Sequence, residues 1–80
     1  MDEIEVTARF YPKGNILPLT FVWQKSTYKV VSVGRHWKAE DGYHILVMDP
    51  GSQTYHLIFQ TETGRWFLFH GADVLPISRI

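Results

Sequence analysis

Residues 43–70 read YHILVMDPGSQTYHLIFQTETGRWFLFH, and they decide the fold class. Three apolar-rich runs, at about 43–48, 54–60 and 65–70, are separated by two polar breaks, Asp49-Pro50-Gly51-Ser52 and Thr61-Glu62-Thr63-Gly64. Runs this short between clusters of turn residues read as strands of an antiparallel meander. In the first break Pro50 presets φ for the second residue of a turn, and Gly51 supplies the positive φ that follows. The second break predicts a type I turn closed by Gly64 in the left-handed region, the three-residue hairpin loop.

Register follows from the turns and from packing. The Gly64 loop pairs Thr61 with Arg65, so that Phe59 faces Phe67 and Leu57 faces Phe69. In the preceding hairpin, the best separation of apolar from polar side chains sets Val47 opposite Tyr55, Ile45 opposite Leu57 and Tyr43 opposite Phe59. One face then carries Tyr43, Ile45, Val47, Tyr55, Leu57, Phe59, Phe67 and Phe69, and this is the expected core face. The other carries His44, Leu46, Met48, Thr54, His56, Ile58, Gln60, Trp66, Leu68 and His70. A solvated sheet face should be polar. This one is half apolar, which calls for a cover: the N-terminal strands, a second copy of the chain, or a ligand.

Working back towards the N-terminus, Ile4, Val6, Ala8 and Phe10 alternate with Glu3, Glu5, Thr7 and Arg9, the pattern of a half-buried strand. Pro12-Lys13-Gly14-Asn15 breaks it. Leu19, Phe21 and Trp23 alternate along a second strand at about 19–24, and a third follows at about 27–33, extended to residue 38 by a bend at Gly34. Ala39-Glu40-Asp41-Gly42 is the next turn. The segment Ala72–Ile80 is expected as a short extra strand or a docked arm. The whole, residues 1–80, reads as one all-β domain: five to six antiparallel strands in meander order, strongly twisted, with closure into a small SH3-like barrel open to it.

Composition narrows the function classes. The chain has 80 residues, 45% of them apolar, with five Phe, four Tyr and three Trp. A domain of this size buries only about 60% of its unfolded surface, so these aromatics must supply much of the core. There is no Cys, which excludes disulfides and thiolate zinc sites and favours a reducing interior. The acidic start Met1-Asp2-Glu3-Ile4-Glu5 is unlike a signal peptide, and no apolar run reaches the roughly 18 residues that span a bilayer. A cytoplasmic protein without membrane contact is expected. Lys plus Arg balances Asp plus Glu at eight each, against a dedicated nucleic-acid coat.

Three constellations merit weighing. His44, His56 and His70 share the second face, with His56 and His70 directly opposite and His44 diagonal. Two such imidazoles can ligate a transition metal, but a stable site wants a third or fourth ligand; the plainer reading is a polar-aromatic surface. Trp23, Trp37 and Trp66 lie near Lys25, Arg35, Lys38 and Arg65, the pairing of stacking rings and cations used on single strands; the plainer reading is Trp23 and Trp66 as core or interface anchors with charged gatekeepers along strand edges. Glu40, Asp41 and Glu62 are turn carboxylates, read as solvated rather than as an acid–base pair. No nucleophile motif and no phosphate loop is present, so no catalytic residue and no cofactor is expected.

The order Phe21-x-Trp23, Tyr28-x-Val30, Trp37, an apolar strand, Tyr55-x-Leu57 and Thr63-Gly64-Arg65-Trp66-x-Leu68 resembles a short bacterial β domain that occurs alone or appended to Y-family (translesion) DNA polymerases. The resemblance covers residues 18–70. In that pattern a Gly often stands where this chain has Lys25, and acidic residues occur near Tyr55-His56-Leu57. It implies a small β fold and a DNA-repair accessory role, and it assigns no catalytic residues.

Three functions follow as expectations. The first is a non-enzymatic interaction module that binds a protein partner, or itself as a homodimer, through Leu46, Met48, His56, Ile58, Trp66, Leu68 and His70. The second is a nucleic-acid accessory module using Trp23, Lys25, Arg35, Trp37, Lys38 and Arg65. The third is a metal site at His44, His56 and His70.

Overall fold

The computed structural model describes residues 1–69; His70 and the expected tail element over Ala72–Ile80 lie outside the described residues. Among the described residues there are seven strands: β1 (Asp2–Phe10), β2 (Ile16–Trp23), β3 (Ser26–Lys29), β4 (Ser32–Ala39), β5 (Gly42–Met48), β6 (Thr54–Gln60) and β7 (Arg65–Phe69). They form one antiparallel sheet in the order β3-β2-β1-β7-β6-β5-β4. The fold is all-β, with seven strands where five to six were expected, because the long third strand divides in two.

That division sets the shape. The edge strands β3 and β4 are neighbours in sequence, joined by Val30 and Val31 alone. Laid flat, seven strands would separate the edges by about 29 Å, at about 4.8 Å per gap. Two linking residues reach only about 11 Å. The sheet therefore curls into a half-barrel. The crossing falls at one peptide. The Val30 N–H donates to Leu19 O at 2.9 Å, beside β2, and the Val31 N–H donates to Met48 O at 2.9 Å, beside β5.

The concave face holds the core. Ile4, Phe21, Ile45, Val47, Leu57, Trp66 and Leu68 form one buried cluster, flanked by Val6, Ala8, Tyr28, Tyr43, Tyr55 and Phe59. Phe21 stacks on Tyr28 at 5.0 Å and meets Tyr55 edge-on at 5.2 Å. Burying side chains the size of Ile45 or Leu57 stabilises by about 1.5–3 kcal/mol each. Two bulges adjust which residues point inward. In β2, Thr7 pairs with Thr20 but Ala8 pairs with Pro18. Leu19 is thereby expelled to the surface and Pro18 takes its place inside, so the expected alternation fails at Leu19 while Phe21 and Trp23 keep to the core side. A bulge tolerates Pro because no ladder N–H is required of it. In β4, Val33 pairs with Val47 but His36 pairs with Ile45. The extra residue at Gly34-Arg35 turns Trp37 from the concave to the convex face.

The β5–β6 register is as the sequence implies: Tyr43↔Phe59, Ile45↔Leu57 and Val47↔Tyr55. The β6–β7 register is not. Gln60, rather than Thr61, pairs with Arg65, and Phe59 faces Trp66 while Leu57 faces Leu68. The loop holds four residues, Thr61–Gly64, with the Gly64 N–H donating to Gln60 O at 2.8 Å. One residue of difference inverts the strand. Trp66 and Leu68, expected on the second face, are core residues, while Phe67 and Phe69 leave the core for the convex face.

Candidate functional site

The convex side of β4, β5 and β6 carries the most unusual chemistry in the described residues. His44 on β5 and His56 on β6 are diagonal neighbours, since His44 pairs with Ile58 and His56 with Leu46. Their rings meet: His44 Nδ1 and His56 Nε2 are 2.8 Å apart. On its other side His44 Nε2 lies 2.6 Å from Asp41 Oδ1. The turn that leads into β5 places this carboxylate. Ala39 pairs with Gly42, so Glu40-Asp41 form a two-residue loop, and Gly42 has φ +138°. A Cβ at Gly42 would lie 2.3 Å from Phe59 O. Only Gly lets the turn sit this close to β6, which brings Asp41 over the start of β5.

Trp37, delivered by the β4 bulge, roofs the pair. Its indole stacks on His44 at 5.1 Å and 21°, and lies 5.3 Å from His56. Phe69 closes the far side, edge-on to His56 at 4.9 Å. The Arg35 guanidinium sits 5.2 Å from the Trp37 ring centre, a cation–π contact. Protonation is constrained throughout. The hydrogen bond from His44 Nε2–H holds the Asp41 carboxyl below its ordinary range, against the opposing effect of burial. Neutral His44 then presents the lone pair of Nδ1 to His56, which donates from Nε2. If His44 is charged, His56 Nε2 must accept instead. The facing nitrogens share one proton and cannot each hold one. Burial, and next the charge of His44, push the His56 imidazole down, while Asp41 pulls it up.

This differs from the sequence expectation in three ways. His56 faces Phe69 across β6–β7 rather than His70, and His70 lies outside the described residues. The touching pair is His44 with His56. Asp41 is solvated as expected, its side chain 52% exposed, but it lies beside the pair and anchors the network through His44. Its separation from His44 (Asp-Gly-x-His across a turn) was the available signal, but only the two-residue loop makes it meaningful.

The interaction residues are also rearranged. Trp66 and Leu68 belong to the core, and Ile58, though convex, is 2% exposed. Leu46, Met48 and His56 keep their place, joined by Trp37, Phe67 and Phe69; Met48 and Phe69 are 36% and 39% exposed. A shallow groove beside them is lined by Ser32, Gly34, Arg35, Leu46, Met48 and Thr54.

The nucleic-acid set is not assembled in one place. Trp23 donates from Nε1 to Asp2 Oδ2 at 3.0 Å, Lys25 sits in the β2–β3 turn, and Arg65 faces Glu3 at 3.8 Å. Only Arg35, Trp37 and Lys38 share a strand, and Trp37 and Lys38 alternate to opposite faces of it. Among the described residues, no group of three or more His, Cys, Asp and Glu is arranged to hold a metal, and no helix is long and apolar enough to cross a membrane. No family model, characterised protein or solved structure matches this chain.

Proposed function

We propose that the chain is a non-enzymatic interaction module, a small SH3-like barrel that docks on a protein surface, a second copy of itself included, through the convex face of β4–β6. One observation carries the reading. Leu46, Met48 and Phe69 expose apolar surface beside a groove, around a rigid aromatic group made of Trp37, His44 and His56. Contiguous apolar patches with a polar rim mark contact surfaces, and rigid aromatics beside an Arg are typical anchors. Arg35, Ser32 and Thr54 supply the rim. A neutral net charge leaves self-association unopposed. The cytoplasm of a bacterium suits a chain without Cys.

The test combines light scattering with amide spectra of the full chain over a wide concentration range. Concentration-dependent shifts centred on Trp37, Leu46, Met48 and His56, abolished by Met48→Glu, are expected. Invariant shifts with a monomer mass sink self-association. The accessory nucleic-acid role implied by the polymerase-associated resemblance is distinguished by titration with single-stranded DNA. Salt-dependent quenching of Trp37, lost in Arg35→Ala, would favour it.

A further inference from the structure

The facing nitrogens of His44 and His56 have a use beyond docking. We propose that they form a binding site for a borderline d-block cation, Zn²⁺ or Cu²⁺, with Asp41 as a positioning residue.

Four observations support this. His44 Nδ1 and His56 Nε2 face each other at 2.8 Å across one shared proton, the position an ion would take. Two imidazole nitrogens at about 2.0–2.1 Å from one ion in tetrahedral array stand roughly 3.3 Å apart, so a half-ångström opening by ring rotation seats the ion. Asp41 holds His44 Nε2 at 2.6 Å, which fixes the proton there and leaves Nδ1 as the donor atom. This is the carboxylate–histidine–metal arrangement, in which the outer carboxylate orients the ring and raises its basicity. Trp37 and Phe69 hold the two rings in place, so little ordering remains to be done on binding. Finally, a donor set of two imidazoles without thiolate selects zinc and copper over magnesium or calcium, which want oxygen.

The unmetallated state is the hydrogen-bonded pair. Binding displaces the proton between the two neutral rings, which moves within His56 from Nε2 to Nδ1, so that Nε2 meets the ion and no net proton is released. With two protein ligands among the described residues, the remaining coordination positions stay open to water or to a donor atom of a bound molecule.

The test uses the full chain titrated with ZnCl₂ and followed by long-range ¹H–¹⁵N spectra of the imidazoles. Saturable one-to-one shifts at His44 Nδ1 and His56 Nε2 are expected, with His36 unmoved; His36 is occupied elsewhere, 3.3 Å from the Tyr43 hydroxyl. His56→Ala and His56→Gln should each abolish the response in a chain whose amide spectrum stays folded. Asp41→Asn should weaken binding about tenfold or more. The proposal is overturned by unshifted His44 and His56 resonances, by an equal response to MgCl₂, or by undiminished zinc affinity in both folded His56 variants.

Discussion

The two hairpins that share β6 obey the same turn chemistry and reach opposite outcomes. In the β5–β6 loop Asp49 pairs with Gln53, the Asp49 N–H donating to Gln53 O at 3.0 Å, and Ser52 N–H closes back on Asp49 O. The loop is Pro50-Gly51-Ser52, with Ser52 in the left-handed region at φ 67°. In the β6–β7 loop Gly64 is the left-handed residue at φ 73°, but four residues precede the next pair. Each loop ends on a positive φ immediately before the residue that closes the hairpin, Gln53 in one and Arg65 in the other. What differs is the count, and the count alone decides which side chains of the following strand enter the core.

The largest effect expected from that difference falls on β7. Trp66 is 7% exposed and packs 4.9 Å from Phe59, whereas Phe67 is only half-buried on the convex face. Trp66→Ala should cost about 3–5 kcal/mol, and Phe67→Ala substantially less. Urea unfolding of the two variants checks the order. Equal costs, or a larger one for Phe67, would restore the three-residue loop and the inverted strand.

The contrast also shows what the sequence discloses. Strands and turns are legible because Gly, Pro and polar clusters interrupt apolar runs at every junction. Register is legible in β5–β6 because Tyr43, Ile45 and Val47 alternate with a less apolar set, so one pairing separates the faces best. In β7 the four residues after Arg65 are Trp-Phe-Leu-Phe. All are apolar, alternation carries no information, and the register rests on loop length. The β2 and β4 bulges are hidden for a related reason: Pro18 and Leu19, or Val33 and Trp37, are all acceptable core residues. The candidate site inherits these ambiguities. That His44 and His56 share one face was readable, but their contact and the Asp41 anchor depend on a bulge, a two-residue turn and the close approach at Gly42.

The loops should also differ in their response to pH. Asp49 Oδ1 accepts from the Gly51 and Gln53 N–H groups at 2.9 Å each, and Oδ2 accepts from the Tyr55 hydroxyl at 3.0 Å. The Gln53 N–H, followed by the Tyr55 and Gly51 donors, holds the Asp49 carboxyl below its ordinary range, against burial. A carboxyl depressed on folding contributes stability that is present above its unfolded value of 3.8 and lost as pH falls through its folded value. Tyr55 is raised, by burial and then by Asp49; its contribution is present below pH 10 and lost as pH rises through the folded value. Asp49→Asn should therefore lower Tm at neutral pH and flatten its decline below about pH 5. An unchanged acid limb would show that the loop is held by its backbone alone. The β6–β7 loop is tied by neutral bonds, Thr63 Oγ1 donating to Gln60 Oε1 and accepting from the Arg65 N–H, and Thr63→Val should leave the acid limb in place.

The smallest effect is the sharpest probe of the shared geometry. A left-handed conformation costs a side-chain-bearing residue about 1–2 kcal/mol, and Gly escapes that cost while losing about 0.5–1 kcal/mol of extra chain entropy on folding. At Ser52 the balance favours Gly, so Ser52→Gly should stabilise by about 0.5 kcal/mol. At Gly64 the same exchange runs backwards. A Cβ there meets nothing within 4 Å, so Gly64→Ala is opposed by φ alone and should destabilise by about 1 kcal/mol. Opposite signs at the two positions follow only if both loops end on the same left-handed residue. If Ser52→Gly destabilises, the positive φ has moved to Gly51, where the turn residues alone would put it, and the β5–β6 hairpin carries a different loop.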